Sequence, residues 1–418
     1  MIDLSRRGLL NAVGALAFAQ VAGARAENYC TDGLAGRPLT SSRSLPLGNI
    51  SKRVQWGIAI EQPGLYDPEL VAALRTEAPR FLAIASGLKF GNLHPLSMAY
   101  RRSNGESTWG ECDDTVALAK ALGVPIRGDC LAWNDWLPNW VTEIARKRPR
   151  GWQDQLRRDF EAHFDGVFAH FREMNPNPLR WCGVVNEPFN PWAMNGAEPS
   201  WRAGAWLDAF GFEADGIPRY IHSAFALGER HRSGECALFI NEANCENDRF
   251  GPAMRPAYLK LVDSLQKAGR HVDAVGLECH LVPQWMSDPG RPDWRPFVQF
   301  LRDLASRGVE IYLTELDVND CSLRGVTARD AEVETYMRSF VSAALEVPAV
   351  TMLSNWNFSD KDSWLRQSNS AGRVGIESWA KCVLSPECPR PALYDESMNP
   401  KRARQGLAEA LGGSRAGR

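Results

Sequence analysis

Strand-length apolar runs and longer amphipathic stretches alternate along nearly the whole of this chain. Residues 54–60, 81–85, 125–133, 181–186, 237–241, 274–280, 311–316 and 350–356 read as buried strands. Helical spacing of apolar positions fills the gaps at 68–78, 115–122, 153–174, 219–231, 257–268, 294–305 and 331–345, with a last helix at 401–411. Strict alternation of this kind calls for a parallel sheet with helices outside it. Eight of each is the arithmetic of a (β/α)8 barrel, a TIM barrel in one domain. A doubly wound open sheet is the competing architecture, and it wants a Gly-rich phosphate loop after the first strand. Ile58-Ala59-Ile60-Glu61-Gln62 is not one.

The N-terminus departs from this pattern. Ser5-Arg6-Arg7 precedes a short apolar run of small residues to Val21 and then Ala24-Arg25-Ala26. This is the make-up of a twin-arginine export signal with an A-x-A cleavage site, so residues 1–26 are expected to be removed. Residues 27–50 then form a Gly/Pro/Ser-rich lead-in, and 51–412 the catalytic-sized domain. Export implies a periplasmic or secreted protein, and no later run is long and apolar enough to span a membrane. Nothing in the sequence suggests an oligomer, so a monomer is expected.

Composition narrows the partners. With 48 Lys+Arg against 50 Asp+Glu among 418 residues, the chain lacks the basic excess that draws proteins to nucleic acid. Fifteen Trp supply flat apolar faces suited to a core or to sugar rings. Ten Cys in an exported chain permit disulfides. Cys382 and Cys388 are spaced to close a tight loop, whereas Cys130, Cys182 and Cys279 lie in strand-like runs and read as small buried residues. With no C-x-x-C, no H-E-x-x-H and seven scattered His, no metal or other cofactor is expected.

In a barrel of this kind, polar residues at the C-terminal strand ends face the active site. Those ends carry Asp129 and Trp133, Asn186 and Glu187, Asn241 to Asn244, Glu278 and His280, Glu315 and Asp317, and Trp356. Glu187 and Glu315 thus stand across the mouth from one another. Such a pair suits glycoside cleavage with retention, provided the carboxyl groups are about 5 Å apart: one protonates the leaving oxygen while the other attacks the anomeric carbon. Asn186 is placed to bond a sugar 2-OH, and His280 with Asp317 to keep Glu315 ionised and oriented. Taken singly, Asn-Glu-Pro is a common turn start, Thr-Glu-Leu-Asp a plausible N-cap and one His an ordinary interior residue. Their coincidence at strand ends carries the reading.

These residues resemble glycoside hydrolase family 10, the xylanase-like retaining endo-β-1,4-glycanases. Arg127-Gly128-Asp129-Cys130-Leu131-Ala132-Trp133 resembles the family's R-G-H-T-L-V-W-H, and Leu137-Pro138-Asn139-Trp140 its L-P-x-W. Val184-Val185-Asn186-Glu187 resembles the end of W-D-V-V-N-E, and Phe239 to Asn244 resembles Y-N-D-Y-N. Leu313-Thr314-Glu315-Leu316-Asp317 is similar to I-T-E-L-D. The late strings Asp360-Lys361-Asp362-Ser363-Trp364 and Leu393-Tyr394-Asp395-Glu396 are similar to D-K-D-S-W and L-F-D-E. The resemblance implies Glu187 as acid/base and Glu315 as nucleophile, a β-1,4-linked polysaccharide as substrate, and Lys89, Asp129, Trp133, Asn186, Asn241, Glu278, His280, Asp317, Trp356 and Trp364 around it.

Departures fall on one side. Asp129 and Asn134 stand where the family has His, Ala85 and Ser86 where it has Glu and Asn before Lys89, Glu278 where it has Gln, and Cys182-Gly183 where W-D is usual. By resemblance these positions grip the sugars upstream of the cut bond. Two substrate readings stay open: a drifted xylanase, or an enzyme for a glucose- or uronic-acid-containing exopolysaccharide with room for a C6 substituent beside Lys89. A catalytically silent glycan-binding barrel is the rival from another class. If Asp129 and Glu278 both face the mouth, carboxylate crowding raises one or more of their pKa values.

Overall fold

A computed structural model of the chain describes residues 45–96, 108–320, 325–366 and 389–413. Eight strands pair in parallel: β1 (Gln55–Ile60), β2 (Leu82–Ile84), β3 (Ile126–Gly128), β4 (Leu179–Asn186), β5 (Ala237–Glu242), β6 (Ala274–Leu277), β7 (Glu310–Val318) and β8 (Val350–Trp356). β8 returns to β1, with Trp56 beside Leu353 and Gly57 beside Ser354, so the sheet closes into a barrel. The outer helices are α1 (Pro68–Glu77), α2 (Gly110–Leu122), α3 (Trp152–Arg172), α4 (Arg219–His231), α5 (Gly251–Lys267), α6 (Arg295–Ala305), α7 (Val326–Ala344) and α8 (Arg402–Gly413), one after each strand. This is the (β/α)8 barrel the alternation predicts.

Alternate strand residues serve two cores. Ala59, Ala83, Ala85, Phe239, Ala274, Tyr312 and Met352 point into the barrel, where small side chains on β1 and β2 face aromatic ones on β5 and β7. Ile58, Ile60, Leu82, Ile84, Leu238 and Ile240 point outward against the helices. On α3 the buried face is Leu156, Phe160, Phe164, Val167, Phe168 and Phe171, the 3–4 spacing of one helical stripe. Each such Phe contributes about 1.5–3 kcal/mol by leaving water. The helix α1 starts sharply because the Asp67 carboxylate accepts from Glu69 N and Leu70 N ahead of Pro68.

The first and last described segments are joined at one buried carboxylate. Glu77 accepts from Leu47 N at 2.8 Å, from Arg404 at 2.7 and 2.9 Å, and from the Tyr394 hydroxyl. Leu47 and Ile50, in the short helix Leu47–Ile50, are part of the core, so the last residues of the expected lead-in already belong to the barrel. The expected export signal and the Cys382–Cys388 pair lie outside the described residues. Cys130, Cys182 and Cys279 are buried and unpaired.

Three strand ends differ from the periodicity, and each difference shapes the mouth. β3 stops at Gly128 rather than continuing to Trp133, so Asp129 to Trp133 form a loop. β6 stops at Leu277 because Cys279 takes a positive φ of 61°, after which His280–Leu281 pairs separately with Asp317 and Val318. After β4 the chain leaves as a hairpin, Phe189–Asn195 with Glu198–Trp201, which the apolar pattern does not indicate.

Candidate active site

Most of the residues singled out at strand ends converge on the C-terminal mouth. Glu187 directly follows β4 at φ 43°, and Asn357 directly follows β8 at φ 68°. Left-handed backbone at non-glycine residues is uncommon and tends to collect at functional sites.

Glu315, near the end of β7, is the most densely supported carboxylate. Asn241 Nδ2 donates to its Oε1 at 3.0 Å and also approaches Asn186 Oδ1 at 2.9 Å and Glu278 Oε1 at 3.2 Å. Thr314 fixes that amide by donating to Asn241 Oδ1 at 2.7 Å. On its other side, His280 Nε2 stands 3.3 Å from Glu315 Oε2, and His280 Nδ1 2.8 Å from Asp317 Oδ1. Trp364 Nε1 donates to the second Asp317 oxygen at 2.7 Å. The D-K-D-S-W string thus places Trp364, whose backbone N is held by Asn357 Oδ1 at 3.0 Å. Trp356 meets His280 edge-on with ring centres 6.3 Å apart.

Electrostatics separates the two carboxylates. Burial opposes ionisation of Glu315, but His280, Arg127 and Lys89 outweigh it and hold its pKa below the ordinary Glu value. His280 is disfavoured as a cation by burial yet raised to about 10 by Asp317 and Glu315, so it is an imidazolium at neutral pH. Glu187 goes the other way: burial raises it, Arg202 offsets part of the rise, and Asp135 and Glu315 add to it. Glu278 is pushed well above the usual range by burial and then by Glu187, Glu315, Glu242 and Asp129, the crowding expected for it. Pairs of carboxyl groups driven apart in this way mark an acid and a base.

The side built by β2 and β3 is different. Lys89 is buried at the mouth with Nζ 3.3 Å from Ser86 Oγ and over the rings of Trp136, Trp133 and Trp356 at 4.6, 5.2 and 5.6 Å. Trp133 and Trp136 stack nearly parallel at 5.8 Å. Asp129 makes no hydrogen bond within the carboxylate cluster, although its charge adds to the crowding there. It lies 3.7 Å from the fully buried Arg127 and fills the space over Gly183, where a Cβ would sit 2.3 Å from Asp129 Oδ1. Burial, eased by Arg127, raises its pKa to about 7.

Several participants are not visible in the strand-end pattern. Arg202 Nη2 reaches Glu187 Oε2 at 2.6 Å, its Nε donates to Glu187 O at 2.7 Å, and its Nη1 pairs with Asp135. Glu242 anchors the start of the hairpin by accepting from Phe189 N at 3.0 Å. The Asn195-Gly196 step that turns this hairpin is a legible signal, but Pro188, Pro191 and Pro199 mask the strands around it. Among the described residues, two groups bring three possible metal ligands within 4.8 Å: Glu278 with His280 and Glu315, and Cys112 with Asp113 and His170. In the first, the His280 proton would have to be displaced.

A closed parallel barrel with one carboxylate after β4 and another on β7, linked by the amides of Asn186 and Asn241, defines a glycoside hydrolase. Residues 88–410 match the profile of glycosyl hydrolase family 10, and the chain belongs to that family. It is 26% identical over 332 residues to endo-1,4-beta-xylanase C of Phanerodontia chrysosporium, covering 78% of this chain and 73% of that one. It is 27% identical over 320 residues to endo-1,4-beta-xylanase A of Thermoanaerobacterium saccharolyticum, covering 75% of this chain and 25% of that longer protein. Among solved structures, xylanase 10B from Thermotoga petrophila in complex with xylobiose superposes with a TM-score of 0.70 at 21% identity, over 90% of this chain and 99% of that one. No helix among the described residues is long and apolar enough to cross a membrane.

Proposed function

We propose that this protein is a retaining endo-β-1,4-glycanase that cuts internal bonds of a polysaccharide by double displacement. The observation that carries the reading is the opposed tuning of Glu187 and Glu315: one carboxyl favours its proton, and the other is held ionised by an imidazolium. Glu315 attacks the anomeric carbon while Glu187 gives its proton to the leaving oxygen. Water then releases the sugar from Glu315 with Glu187 as base. Asn186, fixed by Asn241, offers its amide to the 2-OH of the reacting sugar, and Trp133, Trp356 and Trp364 offer faces for pyranose rings.

A xylan-type backbone is the first substrate, in keeping with the names of the relatives. A backbone bearing a C6 substituent or a carboxylate is the second, favoured by the short side chains of Ala85 and Ser86 beside Lys89 and by an Asp129 that turns toward Gly183. Residues 1–26 support export to the periplasm or beyond.

The test is product release from xylan, mixed-linkage glucan, cello-oligosaccharides and an acidic bacterial exopolysaccharide, with Glu315→Gln as the blank. Glu187→Gln and Glu315→Gln are each expected to abolish turnover on the natural polymer while leaving the circular dichroism spectrum unchanged. Release from xylan fixes the first substrate reading and release only from the C6-bearing polymers the second, whereas a silent wild type on all four contradicts the activity.

A further inference from the structure

Beyond Glu187, the chain makes a detour whose return point touches the acid/base again. The hairpin Phe189–Asn195 and Glu198–Trp201 closes at Arg202, whose backbone N donates to Pro188 O at 2.8 Å and whose Nε donates to Glu187 O at 2.7 Å. The guanidinium is therefore pinned to the main chain of the residue it serves. From there Nη2 meets Glu187 Oε2 at 2.6 Å while Nη1 turns to Asp135, on the loop after β3. The side chains of Arg202 and Glu187 are 17% and 18% exposed and that of Asp135 37%, so one guanidinium joins the half-buried acid/base to a more exposed carboxylate.

An acid catalyst has two needs that conflict. It must hold a proton when substrate arrives, and the carboxylate left after donation must be stabilised. A guanidinium alone at 2.6 Å serves the second need and defeats the first. Resting on the reading of Glu187 as acid/base, we propose that Arg202 is its positioning residue, aiming the carboxyl group, and that Asp135 draws on the same guanidinium to keep that hold loose until the proton has left. As the glycosidic bond breaks, the Glu187 proton passes to the leaving oxygen and the new carboxylate pulls Arg202 toward itself. The contact is thus stronger in the transition state than before it, the kind of interaction that raises kcat. In the second step the same carboxylate takes a proton from the attacking water and the hold relaxes.

The other charged groups around Glu187 are Glu315 on β7, His280 after β6, Glu278 at the end of β6 and Glu242 on β5. All of them remain in variants of Arg202 and Asp135; because Arg202 also acts on Glu242 and Glu278, Asp135→Asn is the narrower probe of the shared guanidinium.

The experiment is the pH profile of kcat/KM for the full chain on whichever polymer it cleaves. Arg202→Gln is expected to move the basic limb up by roughly one pH unit and to lower kcat more than it raises KM. Asp135→Asn is expected to move the same limb down, and Arg202→Lys to leave it near wild type. On an aryl glycoside with a good leaving group, which needs little protonation, Arg202→Gln is expected to lose less than threefold. Limbs that stay put, or that move the same way in Arg202→Gln and Asp135→Asn, overturn the proposal. Should Arg202→Gln fail to fold, Asp135→Asn alone decides through the sign of its shift. The underlying reading is checked separately by azide rescue of Glu187→Ala: no rescue removes Glu187 as acid/base, whereas rescue with unmoved limbs removes only the role of Arg202.

Discussion

Around Glu315 the polar groups form one continuous network, from Thr314 through Asn241 to the carboxylate, and from there through His280 and Asp317 to Trp364. Across the barrel, Arg127 on β3 and Asp129 just beyond it are buried 3.7 Å apart, and neither the guanidinium nitrogens nor the carboxylate oxygens have a hydrogen-bond partner among the described residues. The first region is built from the strings that match the family, whereas in the second Asp129 and Gly183 depart from it. Placement of Glu315 tolerates little change, since its neighbours each hold two or three others. The side of the mouth built by β2 and β3 is held by fewer bonds, so residues there can be exchanged when partners on adjacent strands change together. Asp129 and Gly183 show this: the carboxylate after β3 fits because β4 contributes no Cβ at Gly183.

The comparison is broken most severely if the network around Glu315 proves dispensable. Asp317→Asn keeps the shape but removes the charge that keeps His280 protonated, and kcat is expected to fall on the order of 10²–10³-fold. Activity of that variant should also fade at lower pH on the alkaline side than in the wild type, because His280 gives up its proton earlier. A pH–rate profile checks both. A loss below tenfold would mean that the network is scaffolding.

A smaller effect is expected from Gly183→Ala, whose new Cβ meets Asp129 Oδ1 at 2.3 Å. Urea unfolding should show a loss of about 1–3 kcal/mol. Adding Asp129→Ala to it should recover part of that loss, and strictly additive effects would contradict the coupling of the two strands.

Smallest is Glu278→Gln. The pKa of Glu278 is raised in the fold, so at rising pH the unfolded chain loses this proton, near its ordinary value of about 4.3, long before the native one does. Its contribution is therefore complete at low pH and is lost as the pH rises above that point. Thermal melts of Glu278→Gln and wild type should coincide near pH 4, and the variant should melt higher as the pH rises. Parallel melting curves would place the Glu278 carboxyl outside the crowded cluster.

Much of this was legible in residue order. Alternation located all eight strands, because a strand buried on both faces must be continuously apolar and its helix must carry a stripe. Glu187, His280, Glu315 and Asp317 followed from their places at strand ends. The direction of Asp129 did not, since β3 ends one residue before it and a loop residue has no face imposed by periodicity. Arg202 was equally hidden: fifteen positions from Glu187, it arrives through a hairpin whose prolines interrupt the alternation. The charge sharing of Asp135 with Arg202 exists only in three dimensions.

Hydrolysis is proposed to run by double displacement through Glu315 with Glu187 as acid/base. It is tested most directly by proton NMR of the anomer first released from a β-1,4-linked oligosaccharide before mutarotation. The β-anomer is expected as the initial product. An initial α-anomer would mean single displacement by water, and would contradict the role given to Glu315.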